Sequence, residues 1–360
     1  MQQGDIYLVP GPVRVPETIR AAYSQDFFTP VLEENFCALY NETSKLLATI
    51  MATNTSVVML SGEAMVGLWA GLKSCLQAGD KVVAIANGVF SYGISDMAKS
   101  IGAEIVTVEF AYNTAITDYT RIEEAIKKHK PKMITAVHCE TPSGILNPLA
   151  MIGKLKKQYR VPLFYVDAVA SVGGAELKTD DWQIDLCLGG GQKVLSTFPD
   201  IAFLSVSNAA WEYIGKIAYQ GYDALNGLQN PFQYPHFTYA QNWCAIHALN
   251  IACKLLLQEG LKNVWARHKE VAAFCRNEIN KLGLELYPDD PQYSSPTVTA
   301  IKVPAKISWP ELNKSLLASG LSLGGSYGPL TNKVFRIGHM GAQADLALVK
   351  RGLEILQNVL

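Results

Sequence analysis

The run Pro162-Leu163-Phe164-Tyr165-Val166-Asp167-Ala168-Val169-Ala170-Ser171, followed downstream by Gly189-Gly190-Gly191-Gln192-Lys193, decides how this chain reads. The first run is apolar on both alternating faces, the pattern of a strand covered on both sides by helices. It ends in Asp167, a carboxylate at a buried edge, which is unfavourable unless it meets a cation or good donors. The second run sets an amine behind three glycines, so backbone can approach a ligand closely while Lys193 sits in a low-dielectric site with a lowered pKa. Taken alone, the second run also reads as a solvated lysine after a flexible loop.

Outward from these runs, short β-rich segments alternate with amphipathic ones. Strands are expected near 57–60, 82–86, 104–108, 133–138, 163–167, 186–188 and 202–206, and helices over 64–77, 92–101, 119–130 and 150–159. That alternation predicts parallel strands joined by crossover helices, in which ligands sit beyond the carboxyl ends of the strands. After Tyr239 come long helical patterns, 240–257 and 261–282, then strands around 297–303 and 334–337 with helices at 309–319 and 344–359. The expected fold class is therefore α/β: a large domain with a mostly parallel seven-stranded sheet, plus a smaller α+β C-terminal domain. The expected boundaries are an N-terminal arm over 1–15, the large domain over 16–255 and the small one over 256–360.

A net charge of −1 removes the field that a nucleic-acid or anionic-membrane binder needs, so small-molecule chemistry is the default. Only 18% of the residues are charged, which points to surface covered by another subunit. The seven cysteines are widely spaced, with no C-x-x-C pair or zinc spacing, and read as reduced core thiols. The N-terminus lacks the pattern of a secretory signal, and the expectation is a cytoplasmic protein. Residues 224–253 carry no Asp, Glu, Lys or Arg, but Pro231, Pro235 and several Asn and Gln make a membrane span unsuitable there.

Polar groups follow five of the strands: Ser61-Gly62-Glu63-Ala64, Asn87-Gly88-Val89-Phe90, His138 to Gly144, Asp167 to Ser171, and Gln192-Lys193. The first opens a helix, whose free N–H groups and dipole suit a phosphate, although the turn taken alone reads better as a plain N-cap by Ser61. Neither this turn nor the glycine run has the spacing of a dinucleotide fingerprint or a P-loop. An acid for a pyridinium nitrogen, a lysine for an aldehyde and a helix start for a phosphate together fit pyridoxal 5'-phosphate.

These motifs, with Pro10-Gly11-Pro12 and Phe335-Arg336-Ile337-Gly338-His339-Met340-Gly341, resemble the class V aminotransferases of fold type I over nearly the whole chain, closest to the alanine:glyoxylate and serine:pyruvate branch. The resemblance implies that Lys193 takes the cofactor's aldehyde and shuttles the α-proton, and that Asp167 pairs with the ring nitrogen. It implies Phe90 and Val169 on the ring faces, Ser61, Gly62, Glu63 and Gln192 around the phosphate, and Thr141 or Ser143 at the ring hydroxyl. Arg336 would bind the substrate carboxylate, with Gly11 closing that site. A homodimer is implied, with its active site at the subunit interface.

Two segments depart from the family pattern. Tyr234 to Tyr239 stands where Thr-Pro-Pro from the neighbouring subunit often touches the phosphate, which puts His236 at the Thr position with Thr238 nearby. Phe198-Pro199-Asp200 replaces the usual Pro-Pro-Gly. The implied reaction transfers an amino group from alanine or serine to glyoxylate or pyruvate. A 2-aminoethylphosphonate:pyruvate aminotransferase is the alternative, with Arg14 as its candidate extra cation. A cysteine desulfurase is disfavoured because 319–333 holds no cysteine, and a cofactor-binding regulator because no helix-turn-helix segment is left over.

Overall fold

The computed structural model describes residues 5–25, 34–232 and 239–360. Its main sheet has seven strands: β1 (Val57–Ser61), β2 (Lys81–Ala86), β3 (Glu104–Glu109), β4 (Met133–Val137), β5 (Leu163–Asp167), β6 (Leu186–Gly190) and β7 (Ile201–Val206). Their order is β1-β7-β6-β5-β4-β2-β3. All run the same way except β7, which is antiparallel to both β1 and β6. Residues 191–200 are too few for a crossover helix, so the chain can only turn back beside β6. The carboxyl ends of β1, β2, β4, β5 and β6 consequently share one edge, with the start of β7 among them.

The helices covering this sheet include α1 (Glu34–Ile50), α2 (Ala64–Cys75), α3 (Val89–Ser100), α4 (Tyr119–His129), α5 (Ala150–Gln158) and α6 (Asn208–Ile217). Helix α3 begins three residues before the expected Tyr92. The cause is non-local: Glu140, beyond β4, accepts from Phe90 N at 3.2 Å and Ser91 N at 2.7 Å, capping donors that have no partner inside the helix.

Then α7 (Trp243–Glu259) and α8 (Leu261–Lys281) lead to an antiparallel sheet ordered β8 (Val298–Lys302), β10 (Val334–Gly338), β9 (Gly324–Gly325), flanked by α9 (Trp309–Ala318) and α10 (Leu346–Val359). Among the described residues two large hydrophobic cores form, beside a small cluster of Ala300, Leu330 and Val334. The larger is centred on the main sheet, with Phe164, Tyr165 and Phe203 fully buried. The smaller collects Phe335, Leu312, Leu316 and Val349 together with Ile6 and Leu8 from the arm.

The arm is held along its length. Ile6–Tyr7 pairs in parallel with Leu321–Ser322, Gly338 N donates to Leu8 O at 2.6 Å, and Gln343 Nε2 donates to Val9 O at 2.8 Å. Val13 N then reaches Gln192 O at 3.1 Å, beside the main sheet. Among the described residues no helix is long and apolar enough to cross a membrane.

This anchoring demands glycine at 338, where a Cβ would lie 2.3 Å from Val9 O and 2.5 Å from Pro10 Cα. Gly338→Ala should destabilise the protein by about 1–3 kcal/mol, as overpacking does. Gly93→Ala, in a helix with open space around it, should be neutral or stabilising by up to about 1 kcal/mol. Urea unfolding of both variants checks this; equal midpoints would contradict the close contact of arm and β10.

Candidate active site

At the carboxyl edge of the main sheet lies a cleft of about 470 Å³, into which Asp167, Lys193, Phe90, Val169, Thr141 and Glu63 all face. Asp167 terminates β5 and is 8% exposed; its Oδ1 accepts from Val169 N at 2.9 Å. Burial lifts its carboxyl to about 6, against the pull of that N–H and of the Lys193 charge. Behind it His138 N donates to Asp167 O at 2.8 Å, and the His138 ring meets Ser171 Oγ at 2.9 Å. Burial lowers the His138 imidazole to about 4, so it stays neutral near pH 7.

Lys193 is delivered by the turn after β6. Close packing explains the glycines before it: a Cβ at Gly189 would lie 2.1 Å from the Phe203 ring, and one at Gly191 2.1 Å from Thr197 Oγ1. The Lys193 ammonium donates to Pro10 O of the arm. Burial first, and then the neighbouring Arg336 charge, bring it down to about 8. Gly11 lies against it with φ +94°, and a Cβ there would sit 2.5 Å from Lys193 Nζ. A side chain at this position would fill the space the amine uses.

A second hollow of about 590 Å³ lies along the arm between Pro10, Gly11 and Arg336. Arg336 is 2% exposed on β10. Its Nε and Nη2 both donate to Gly325 O, and its guanidinium lies 4.8 Å from the centre of the Tyr327 ring. Burial depresses its pKa. Two buried cations near one arm make this corner attractive to a carboxylate.

At the opposite end is the start of α2. The N-cap is Glu63, not Ser61: a Glu63 oxygen accepts from Met65 N at 2.8 Å, while Ser61 Oγ accepts from Asn242 N at 3.0 Å. The Gly62 amide donates to Asp200 O at 2.9 Å, so that N–H is already engaged. Gln192 Nε2 donates to Glu63, and its buried Oε1 has no partner. Thr141 lines the cleft, whereas Ser143 is fully buried and donates to Glu140 O at 3.3 Å. His236 and Thr238 lie outside the described residues.

Sequence reasoning gave no role to Glu140, Cys139, Asp200 or Tyr327. Glu140 is fully buried, and burial pushes it to about 7 despite its bonds from Ser91 and Phe90. It stood within the quoted His138–Gly144 turn, and only the fold shows that it caps α3 beneath Phe90. Cys139 lines the cleft with Sγ 3.2 Å from Ser295 Oγ. Asp200 Oδ1 accepts from the Tyr23 hydroxyl at 3.1 Å, tying the segment after the arm to the turn before β7. No local signal marked these long-range pairs.

The pattern described as aminotransferase class-V matches residues 27–330. An alanine–glyoxylate aminotransferase of Callithrix jacchus is 30% identical over 99% of this chain and 87% of its own. The solved ureidoglycine–glyoxylate aminotransferase of Bacillus subtilis superposes with a TM-score of 0.94 at 29% identity, covering 100% of this chain and 93% of its own. The pyridoxamine–pyruvate aminotransferase of Mesorhizobium loti gives 0.93 at 27% identity, covering 98% and 91%. The family pattern, the relative and the solved structures agree: the chain belongs to the class-V aminotransferases and is a pyridoxal 5'-phosphate-dependent transaminase.

Proposed function

We propose that this enzyme moves the amino group of a small amino acid, alanine or serine, to a small 2-oxo acid, glyoxylate or pyruvate, in a ping-pong reaction. The observation that carries this reading is the set of cations. Among the described residues lining the two hollows, only Lys193 and Arg336 are positively charged. One amine and one guanidinium suit a reacting carbon bearing one carboxylate and leave nothing for a phosphonate or a distal acid. Arg14, the cation the phosphonate alternative would need, is exposed on the arm. The named relatives act on glyoxylate or pyruvate, which supports the same acceptors.

The residues fit the cofactor. Asp167 offers a buried acid, Gln192 a buried amide donor beside the start of α2, and Gly11 leaves room at the Lys193 amine. When bound, pyridoxal 5'-phosphate supplies an aldehyde that takes up the amino group and a ring that draws electrons from the carbon losing its proton. Asp167 would hold a proton on the ring nitrogen, and Phe90 and Val169 would flank the ring and exclude water. Thr141 is nearer the cleft than Ser143 and is the better placed for the ring hydroxyl. The first free amides of α2 and Gln192 would hold the phosphate. Lys193 Nζ would take the proton from the donor's Cα and deliver it to the carbon that was the cofactor's aldehyde carbon, and would run the same transfer in reverse in the acceptor half of the cycle. Arg336 grips the substrate carboxylate with its planar fork, a geometry lysine cannot reproduce.

The enzyme is proposed to be a cytoplasmic homodimer. Supporting this, Tyr222 (63% exposed) and Met65 (42% exposed) leave apolar surface uncovered in one chain.

Lys193→Ala should abolish transamination between alanine and glyoxylate; measurable turnover in that variant would contradict the proton-shuttle role. Arg336→Gln should raise KM for alanine about tenfold or more, the worth of a charged hydrogen-bond pair, as steady-state kinetics with a donor and acceptor panel would read. Only the neutral amine attacks an aldehyde, so cofactor capture by the apoenzyme should accelerate as pH rises through about 8. Arg336→Gln should move that midpoint upward, because losing a nearby positive charge favours the protonated amine. A pH-independent capture rate in stopped-flow absorbance would contradict this.

A further inference from the structure

Glu63 stands where the cofactor's phosphate would be held. It is the N-cap of α2, and its Oε2 accepts from Met65 N at 2.8 Å while its Oε1 accepts from Gln192 Nε2. Both donors are groups a phosphate would draw on at that end. The neighbouring Gly62 amide is already bonded to Asp200 O. A helix N-terminus attracts one anion through its dipole and unpaired N–H groups, and here a carboxylate of the chain itself occupies it. Gln192 is 1% exposed and donates its Nε2 to Glu63, so this end carries a buried side-chain donor besides the helix start. Glu63 also lines the cleft, and its charge acts on both Asp167 and Lys193. A phosphate dianion and this carboxylate cannot share the place without strong, weakly screened repulsion.

We propose that Glu63 is an internal competitor for the phosphate of the cofactor. Its carboxylate must leave the α2 N-terminus and release Gln192 before a phosphate ester seats, and it thereby sets how far the chain prefers pyridoxal 5'-phosphate over phosphate-free pyridoxal. This rests on the reading that the cleft takes a pyridoxal ring. Asp167 and Lys193 at the ring end feel the Glu63 charge through space, whereas Met65 N and Gln192 Nε2 are bonded to it directly, so the effect has a direction. Removing the Glu63 charge strengthens binding of the phosphate ester much more than it alters binding of the unphosphorylated ring. A residue that merely capped the helix would change stability without changing that preference.

The test titrates apoprotein with pyridoxal 5'-phosphate and with pyridoxal, reading the absorbance of the bound aldehyde for wild type, Glu63→Gln and Glu63→Ala. Glu63→Gln keeps an oxygen able to accept from Met65 N, which guards against loss of the cap. Both variants should bind the phosphate ester about tenfold or more tightly while pyridoxal changes by less than about twofold. Inorganic phosphate should raise the Tm of apo Glu63→Ala more than that of the wild type. Binding of both compounds with the same preference in all three proteins would overturn the competitor role alone. Binding of neither compound to any of them would overturn the cofactor reading and this inference with it.

Discussion

The bond from the Lys193 ammonium to the Pro10 carbonyl is the contact on which the site depends. It joins the turn after β6 to an arm that is otherwise anchored on the C-terminal sheet, through Ile6–Tyr7 beside Leu321–Ser322 and through Gly338 against Leu8. Main sheet, arm and β10 therefore meet near one buried amine, which also feels the Arg336 charge. Burial works on the two principal charges in opposite senses, raising Asp167 to about 6 and lowering Lys193 to about 8. An acid and a base brought towards neutrality in one cleft are what proton transfer near pH 7 requires.

The second constraint is crowding at the backbone. The glycines before Lys193 let β6 pack against Phe203 and Thr197, and Gly11 lets the arm pass over the amine. The turn after β4 belongs to the same arrangement. Glu140 caps α3 and so fixes Phe90, while Ser326 Oγ donates to Pro142 O at 3.0 Å, linking that turn to the C-terminal domain. The walls of the cleft are thus set by bonds between segments far apart in the chain.

Those distances explain what the sequence could show. Buried strands such as Leu163–Asp167 announce themselves as short apolar runs with a polar residue at the end, so the seven-stranded sheet and the strand-end residues were legible. The direction of β7 was not, because a run buried on both faces reads the same whichever way it lies; only the short connection from β6 decides it. Helices α1 and α6 were not anticipated. The start of α3 was misplaced because its cap comes from Glu140, and Ser61 gave way to Glu63 as the α2 cap because Asn242 N takes its hydroxyl. Asp167 and Lys193 stand in local patterns that fit their proposed chemistry, and the fold brings both to one cleft, whereas Arg336 is marked only by the family resemblance of Phe335 to Gly341. Glu140, Tyr327 and Asp200 act through partners that no window of sequence contains.

The central claim is that this cleft takes an amino group from a small donor onto its own cofactor. It is tested most directly by the absorption spectrum of protein reconstituted with pyridoxal 5'-phosphate, recorded before and after addition of L-alanine with no oxo acid present. The account predicts that the visible band of the bound aldehyde form falls while the band of the amine form grows, and that adding glyoxylate reverses the change. A bound-aldehyde band that persists through both alanine and serine would contradict it.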